Sequence, residues 1–184
     1  MNSHAYSTGV RWTGTLTVDP TELDRALAAG WAHDGIDGWE IEPTEPGTVL
    51  FMAKPNLVVN SGIDRSLDRT FNLSGTTGEV DSIGVDNGTS NPTATTSQSA
   101  DGSSTARTII AMSPAASRSG QQVSCGGTFT NSNVSFVMKR LFLNDTTTDA
   151  AGNLYSMTNV FTIDMTSFSS WAQSFSPTVS GTGS

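Results

Sequence analysis

The feature that most constrains the fold is a series of short apolar runs that fills the chain from Val80 onward, separated by clusters of Gly, Ser, Asn and Asp. Each run is rich in β-branched or aromatic residues, and the clusters between the runs are typical of turns. About six such runs at near-regular spacing predict an antiparallel β-sandwich or a jelly-roll-like fold. The predicted strands are VDSIGVD, ARTIIAMS, QQVSCGGTFT, NVSFVMKRLFL, NVFTIDM and SSWAQSFSPTVS.

The segment before Pro55 predicts a small α/β unit. Apolar residues alternate from Val10 to Val18, which indicates a strand with one buried face. A short helix is expected next, because Asp19 can cap it and Gly30 can end it. The stretches GWEIE and TVLFMA then predict two further strands. We therefore expect two domains, an N-terminal docking unit over 1–54 and an antiparallel β-sandwich domain over 55–184.

A second helix is predicted at the head of the β-rich part. Asn60 is a good helix cap, and Ile63, Leu67 and Phe71 recur at four-residue spacing along one face. A helix this short is marginal alone in water. Its apolar stripe is therefore expected to dock on the sheet formed by the strands that follow.

The balance of charge limits the classes of partner. Charged residues make up 14% of the chain, against roughly 25% in ordinary globular domains. Hydroxyl and amide groups must therefore cover much of the surface, and such a composition suggests surfaces that contact other molecules. The formal net charge is -8 and the isoelectric point is about 4.4. Acidic surfaces repel phosphate groups and anionic lipids, so we expect neither nucleic acid nor a membrane as partner.

Cysteine content and the N-terminal sequence indicate where the protein is made. Cys125 is the one cysteine in the sequence, so an intrachain disulfide and a multi-cysteine metal site are both excluded. It alternates with Val123 and has no charged neighbour, which predicts a buried, unreactive thiol. No signal-peptide pattern and no membrane-spanning run is found. A soluble protein assembled in a cytoplasm is expected.

No catalytic, cofactor or metal site is predicted, and the chain is expected not to be an enzyme. His4 and His33 are the only histidines, and no nucleophile motif accompanies them. One acidic cluster has the groups for a glycosidase-like pair or a Ca²⁺ site. An acidic loop that runs into a strand is favoured instead, because Glu40 and Glu42 alternate with the apolar residues Trp39 and Ile41. The cluster consists of Asp34, Asp37, Glu40 and Glu42.

The stretch NDTTTDAAGN, which starts at Asn144, offers a second set of oxygen ligands. Asp145, Asp149 and Asn153 lack the spacing of a Ca²⁺-binding loop. A solvated hairpin loop is therefore the favoured interpretation.

The four tryptophans allow two interpretations. They are able to form a platform on which sugar rings stack. Two of them, Trp12 and Trp39, nevertheless occupy the apolar phase of their predicted strands, which favours the core or a subunit interface. The full set is Trp12, Trp31, Trp39 and Trp171.

Two adjacent charges, Lys139 and Arg140, interrupt the most apolar predicted strand. A buried charge without a partner costs several kcal/mol. One of the two is therefore expected to pair with an acid, and a subunit interface is one place for that pairing. These two residues and the four tryptophans are the candidate interface residues.

Four stretches follow one another from Pro55 to Ser184, namely NLVVNSGIDRSLDRTF, SIGVDNGTSNPTATT, TFTNSNVSFVMKRLFLND and MTNVFTIDMTSFSSWAQSFSPTVSGTGS. An asparagine-led helix, an IGVG-like strand, a hydroxyl-rich loop and an apolar strand before a closing aromatic strand form the same order in a class of small tailed-bacteriophage virion proteins. The chain resembles that class over about residues 55–184. It departs from the pattern at Asp86, where the class has a glycine, and at the pair Lys139 and Arg140.

The resemblance implies a structural role in a virion assembled in the host cytoplasm. A protein of this class is expected to be a tail, fibre, neck or capsid-decoration component. It would bind copies of itself and other virion proteins. A trimer is the favoured state, because symmetric assembly buries the apolar face that short strands leave. The alternative is a module that binds host-surface carbohydrate through exposed tryptophans and the 87–104 loop.

Overall fold

The structure, a computed structural model, describes residues 9–18, 39–43, 48–71, 79–97, 106–119, 122–148, 153–158, 162–166 and 174–182. This part of the chain is mainly β, with antiparallel sheets and one short helix, which confirms the coarse fold class. The helix is α1 (Asn60–Phe71). The strands are β1 (Gly9–Val18), β2 (Trp39–Pro43), β3 (Thr48–Val58), β4 (Ser82–Asp86), β5 (Arg107–Ala111), β6 (Ser117–Ser119), β7 (Gln122–Gly126), β8 (Phe129–Thr130), β9 (Val137–Met138), β10 (Arg140–Asn144), β11 (Leu154–Thr158), β12 (Ile163–Asp164) and β13 (Ser174–Thr182).

One large sheet contains most of these strands. Its order is β5-β4-β10-β11-β3-β1-β13-β7-β6, with β2 paired to β3 and β8 paired to β13. Strands β12 and β9 form a separate two-stranded sheet. The C-terminal strand β13 lies between β1 and β7. On one side, Thr182 lies opposite Gly9 of β1, and on the other, Thr178 lies opposite Gly126 of β7. The sequence predicts SSWAQSFSPTVS to be a structural element of the sheet, and its second half is an interior strand.

The N-terminal strands belong to the same sheet. The strands predicted from Val10 to Val18, in GWEIE and in TVLFMA are confirmed by β1, β2 and β3. Strand β3 runs through residue 54, the predicted domain boundary, and its last residues pair with β11. Strand pairing does not test whether residues 1–54 fold on their own, so the division into two domains stays a prediction. The helix predicted from Asp19 to Gly30 lies outside the described residues.

The hydrophobic core is centred on β4 and β10, because every residue of these two strands is buried. Neighbouring residues of the run NVSFVMKRLFL are buried on both faces of the strand, since Leu141 and Phe142 have 0% and 1% of their surface exposed. The run is nevertheless divided at Lys139, whose amide donates to the Asp86 carbonyl (2.7 Å). Strand β9 before this point pairs with β12, whereas β10 after it pairs with β4 and β11.

Strand β11 was not predicted from the sequence. The interval from Leu154 to Thr158 reads LYSMT, and its polar residues Ser156 and Thr158 are both fully buried. Neither a strict alternation nor a continuous apolar run marks it, so the periodicity gives no strand signal. The predicted strand NVFTIDM is reduced to β12 among the described residues.

The two ends of the large sheet approach each other just beyond β5. The Ser113 amide donates to the Gly126 carbonyl (2.8 Å), and the Gly126 amide donates to the Pro114 carbonyl (3.3 Å). A Cβ added to Gly127 would lie 2.7 Å from a side-chain carbon of Ile83, so the chain after β7 lies directly against β4. One core cluster accordingly combines residues of β4 and β10 with residues of β7 and β8.

Cys125 lies in this cluster with 5% of its surface exposed. Burial raises the pKa of its thiol from 9.0 to about 11. That change lowers the thiolate fraction at neutral pH about 100-fold. We therefore expect a thiol reagent to label the native protein at least about 100-fold more slowly than the urea-unfolded chain, and equal labelling rates would contradict it. Because the thiol ionises near pH 9.0 when unfolded and near 11 when buried, Cys125 should leave the free energy of unfolding unchanged with pH below about 9 and should lower it as the pH rises from there towards 11.

Candidate functional site

Helix α1 is fixed to the sheet by its small residues. The Ser61 hydroxyl donates to the Leu154 carbonyl, and the Ser66 hydroxyl lies 3.3 Å from that of Tyr155. A Cβ added to Gly62 would lie 2.1 Å from the Tyr155 carbonyl oxygen, so the helix backbone lies directly on β11. The face that contacts the sheet is therefore the one that carries Gly62 and Ser66.

The apolar stripe of α1 faces solvent. The exposed fractions are 45% for Ile63, 49% for Leu67 and 66% for Phe71. The prediction that this stripe docks on the sheet is wrong, although the helix begins at Asn60 as expected and includes all three stripe residues. Ile63 and Leu67 each follow a contact residue, Gly62 and Ser66, by one position, and one position turns about 100° around a helix. The backbone of α1 approaches Tyr155 so closely that only glycine fits there, so the face that carries Gly62 packs on the sheet in place of the apolar stripe.

The loop after β4 lies at the start of α1. The Asn60 amide, an N-terminal donor of the helix, donates to the Ala94 carbonyl (2.8 Å). Thr93 and Thr96 close a turn, since the Thr93 amide donates to the Thr96 hydroxyl (2.8 Å) and the Thr96 amide to the Thr93 carbonyl (3.0 Å). No charged residue occurs from Asn87 to Ser97, and most of this stretch is exposed. The uncharged loop thus lies beside the first turn of α1, whereas the helix itself carries Asp64, Arg65, Asp68 and Arg69 in sequence between its stripe residues.

A buried ion pair lies beneath this loop. Arg140 Nε donates to Asp86 Oδ1 (2.7 Å) and Arg140 Nη2 to Asp86 Oδ2 (2.8 Å), in a bidentate pair. The two side chains are 1% and 2% exposed and stand directly opposite each other on β10 and β4. The prediction that one of the two adjacent charges pairs with an acid is confirmed, and the acid belongs to the same chain. Arg140 therefore offers almost no surface to a partner.

The ion pair also contacts the loop backbone. The Gly88 amide donates to Asp86 Oδ1 (2.9 Å), and Arg140 Nη1 donates to the Ser90 carbonyl (3.3 Å). A Cβ at Gly88 would lie 1.9 Å from Arg140 Nη2, so only glycine allows this approach. Asp86 and Arg140 are two of the positions at which the sequence departs from the pattern of the class that it resembles, and their side chains form this ion pair.

The other candidate interface residues are spread over the sheet. Trp12 lies on β1 opposite Lys54, and Trp39 begins β2 opposite Met52, so the two tryptophans hold positions of the same phase on either side of β3. Lys139 is half-buried between β9 and β10. An interface role for these three residues stays a prediction. The remaining two, Trp31 and Trp171, lie outside the described residues.

The acidic groups show no ligand arrangement where the structure describes them. Asp145 accepts from the Asn153 amide (2.8 Å) and from Asn153 Nδ2 (3.1 Å), which closes the predicted hairpin loop between β10 and β11. Glu40 and Glu42 lie on β2, and Asp34, Asp37 and Asp149 lie outside the described part. Within that part, no group of three or more His, Cys, Asp or Glu residues is placed to hold a metal ion. None of its helices is long and apolar enough to cross a membrane.

Comparison with known proteins gives no relative from which a function can be taken. No family model, no curated protein and no solved structure matches the chain. The function is therefore inferred from the sequence and from the contacts described above.

Proposed function

We propose that the protein is a non-enzymatic structural component of a bacteriophage virion, which associates with itself and docks on the particle as a tail, fibre, neck or capsid-decoration protein. The virion role rests on the resemblance over about residues 55–184, and the observation that carries the self-association is the exposed stripe of α1. A helix anchored by Ser61, Gly62 and Ser66 presents three large apolar side chains to solvent. Clustered exposed apolar residues with a polar surround are typical of protein interaction sites.

The surroundings of the stripe fit a contact between proteins. An interface of this kind has an apolar centre and a polar rim from which charges are depleted. The uncharged 87–97 loop, joined to α1 through Ala94, supplies such a rim at the N-terminal end of the stripe. The two Asp and two Arg residues of α1 cancel in charge, so in a chain of net charge -8 this is a region where two copies repel each other little.

The proposal includes the finer architecture of the β-rich part. We infer that the large sheet folds back on itself as an antiparallel sandwich or jelly-roll-like domain. Two observations support this, namely the hydrogen bonds between Ser113 and Gly126 and the core cluster shared by β4, β10, β7 and β8. Two faces that pack across one core are the defining feature of a sandwich.

The proposal predicts that polar substitutions on the stripe abolish self-association without unfolding the chain. In the double variant Leu67→Gln, Phe71→Ser, we expect light scattering to give a monomer under conditions where the natural protein is oligomeric. The midpoint of urea unfolding should change by little, because both side chains are about half or more exposed. Val123→Thr is the matched control, since Val123 is 43% exposed on β7. A natural protein that is monomeric at all concentrations, or a variant that still associates, would contradict the proposal.

Two further observations separate the virion role from its alternative. A reading frame that lies among genes for tail, neck or capsid proteins supports the virion role, and one among metabolic genes counts against it. Glycan-array binding by the natural protein that is lost in a Thr93→Ala, Thr95→Ala variant would favour the carbohydrate-binding module instead. Both threonines are exposed in the loop.

A further inference from the structure

The 87–97 loop is exposed, yet hydrogen bonds hold it at four points. Near its start, the Asn87 amide donates to the Ala106 carbonyl, the Gly88 amide donates to Asp86, and the Ser90 carbonyl accepts from Arg140. Further along, the Ala94 carbonyl accepts from the Asn60 amide at the first residue of α1. The loop therefore connects the buried ion pair to the beginning of the helix that carries the exposed stripe.

The ion pair is poorly explained as a source of overall stability. Moving two charges from water into an interior carries a large desolvation penalty, and apolar residues of similar volume often replace a buried pair without loss of stability. What apolar residues cannot supply is directed hydrogen bonding. The planar guanidinium of Arg140 has five donors in a fixed arrangement, and it uses them on Asp86 and on the backbone at Ser90.

We propose that the Asp86–Arg140 pair is a positioning device, which holds the 87–97 loop and, through Ala94, the first turn of α1 in a single arrangement. The pair fixes Gly88 and Ser90, and the loop then delivers the Ala94 carbonyl to the helix N-terminus. A surface ordered in advance loses less conformational entropy when it binds a partner. The device acts on the conformation of the loop, so it holds whether or not the proposed virion role is correct.

Amide hydrogen exchange tests the device, because it reports local opening separately from global unfolding. The main variant is Asp86→Leu, Arg140→Met, which removes both charges together. We expect the Asn60 and Gly88 amides to exchange at least about tenfold faster than in the natural protein. The Leu143 amide on β10 should change less than about twofold. Thr89→Ala, an exposed substitution in the same loop, is the control and should leave both rates unchanged.

A second variant decides the matter if the first does not fold. Gly88→Ala keeps both charges but places a Cβ 1.9 Å from Arg140 Nη2, so the guanidinium and the loop must separate. Faster exchange at Asn60, with exchange on β10 preserved, is again the expected result. The proposal is overturned if Asn60 exchange is unchanged in Gly88→Ala, or if all amides accelerate equally, since the pair would then be a general structural contact.

Discussion

Replacing Arg140 alone with Met should lower the free energy of unfolding by about 3–5 kcal/mol, the usual effect of removing one member of a buried ion pair. Asp86 would keep its carboxylate in an interior where it is 2% exposed, with the Gly88 amide as its remaining described donor. Urea unfolding at neutral pH, followed by circular dichroism, measures the change. Removing both charges in Asp86→Leu, Arg140→Met should have a much smaller effect, so a double-mutant cycle should show strong coupling.

The neighbouring Lys139 provides the control. It is half-buried and carries the same charge, and it contacts Asp86 through its backbone amide, which Lys139→Met retains. This variant should lose no more than about 1 kcal/mol. Equal losses from the Lys139 and Arg140 substitutions would show that the Arg140 side chain has no special partner in solution.

Ending the chain after Ser170 should prevent folding altogether. The truncation removes β13, which pairs with β1 along nine residue pairs and also pairs with β7 and β8. Its loss would leave long unpaired strand edges, and such edges promote aggregation. We expect insoluble or rapidly proteolysed protein in place of a shorter native domain.

A chain that ends at Thr182 is the matched control for this truncation. It keeps β13 complete, so its yield and its urea-unfolding midpoint should match those of the full chain. A soluble product that ends at Ser170 and unfolds cooperatively would contradict the central position of β13. Size-exclusion chromatography of the two truncated proteins, expressed side by side, makes the comparison.

The N-terminal end illustrates what local sequence patterns leave open. The periodicity from Val10 to Val18 predicts β1 correctly, because the alternation of a strand is a property of neighbouring residues. It says nothing of which strands lie beside β1. The partners are β3 and β13, and the latter lies more than 150 residues along the chain. Grouping residues 1–54 as one unit follows the order of the chain, whereas strand pairing joins β1 to the C-terminal end.

The sequence by itself determined the features that depend on short-range patterns. It determined the mainly β class, the presence of α1 with its start at Asn60, the burial of Cys125, and that a charge in the apolar run requires an acidic partner. In each case the relevant physical preference, such as hydrophobic period, helix capping or the penalty for an unpaired buried charge, acts on a few consecutive residues.

Only the tertiary structure decided which groups meet. It made Asp86 the partner of Arg140 across 54 positions, and it placed Gly62 rather than the apolar stripe of α1 against β11. Helix periodicity predicts which residues share a face, but the docked face depends on how closely two backbones approach and on which donors and acceptors lie opposite. These are properties of contacts between distant segments, and they arise only when the strands have taken their places in the sheet.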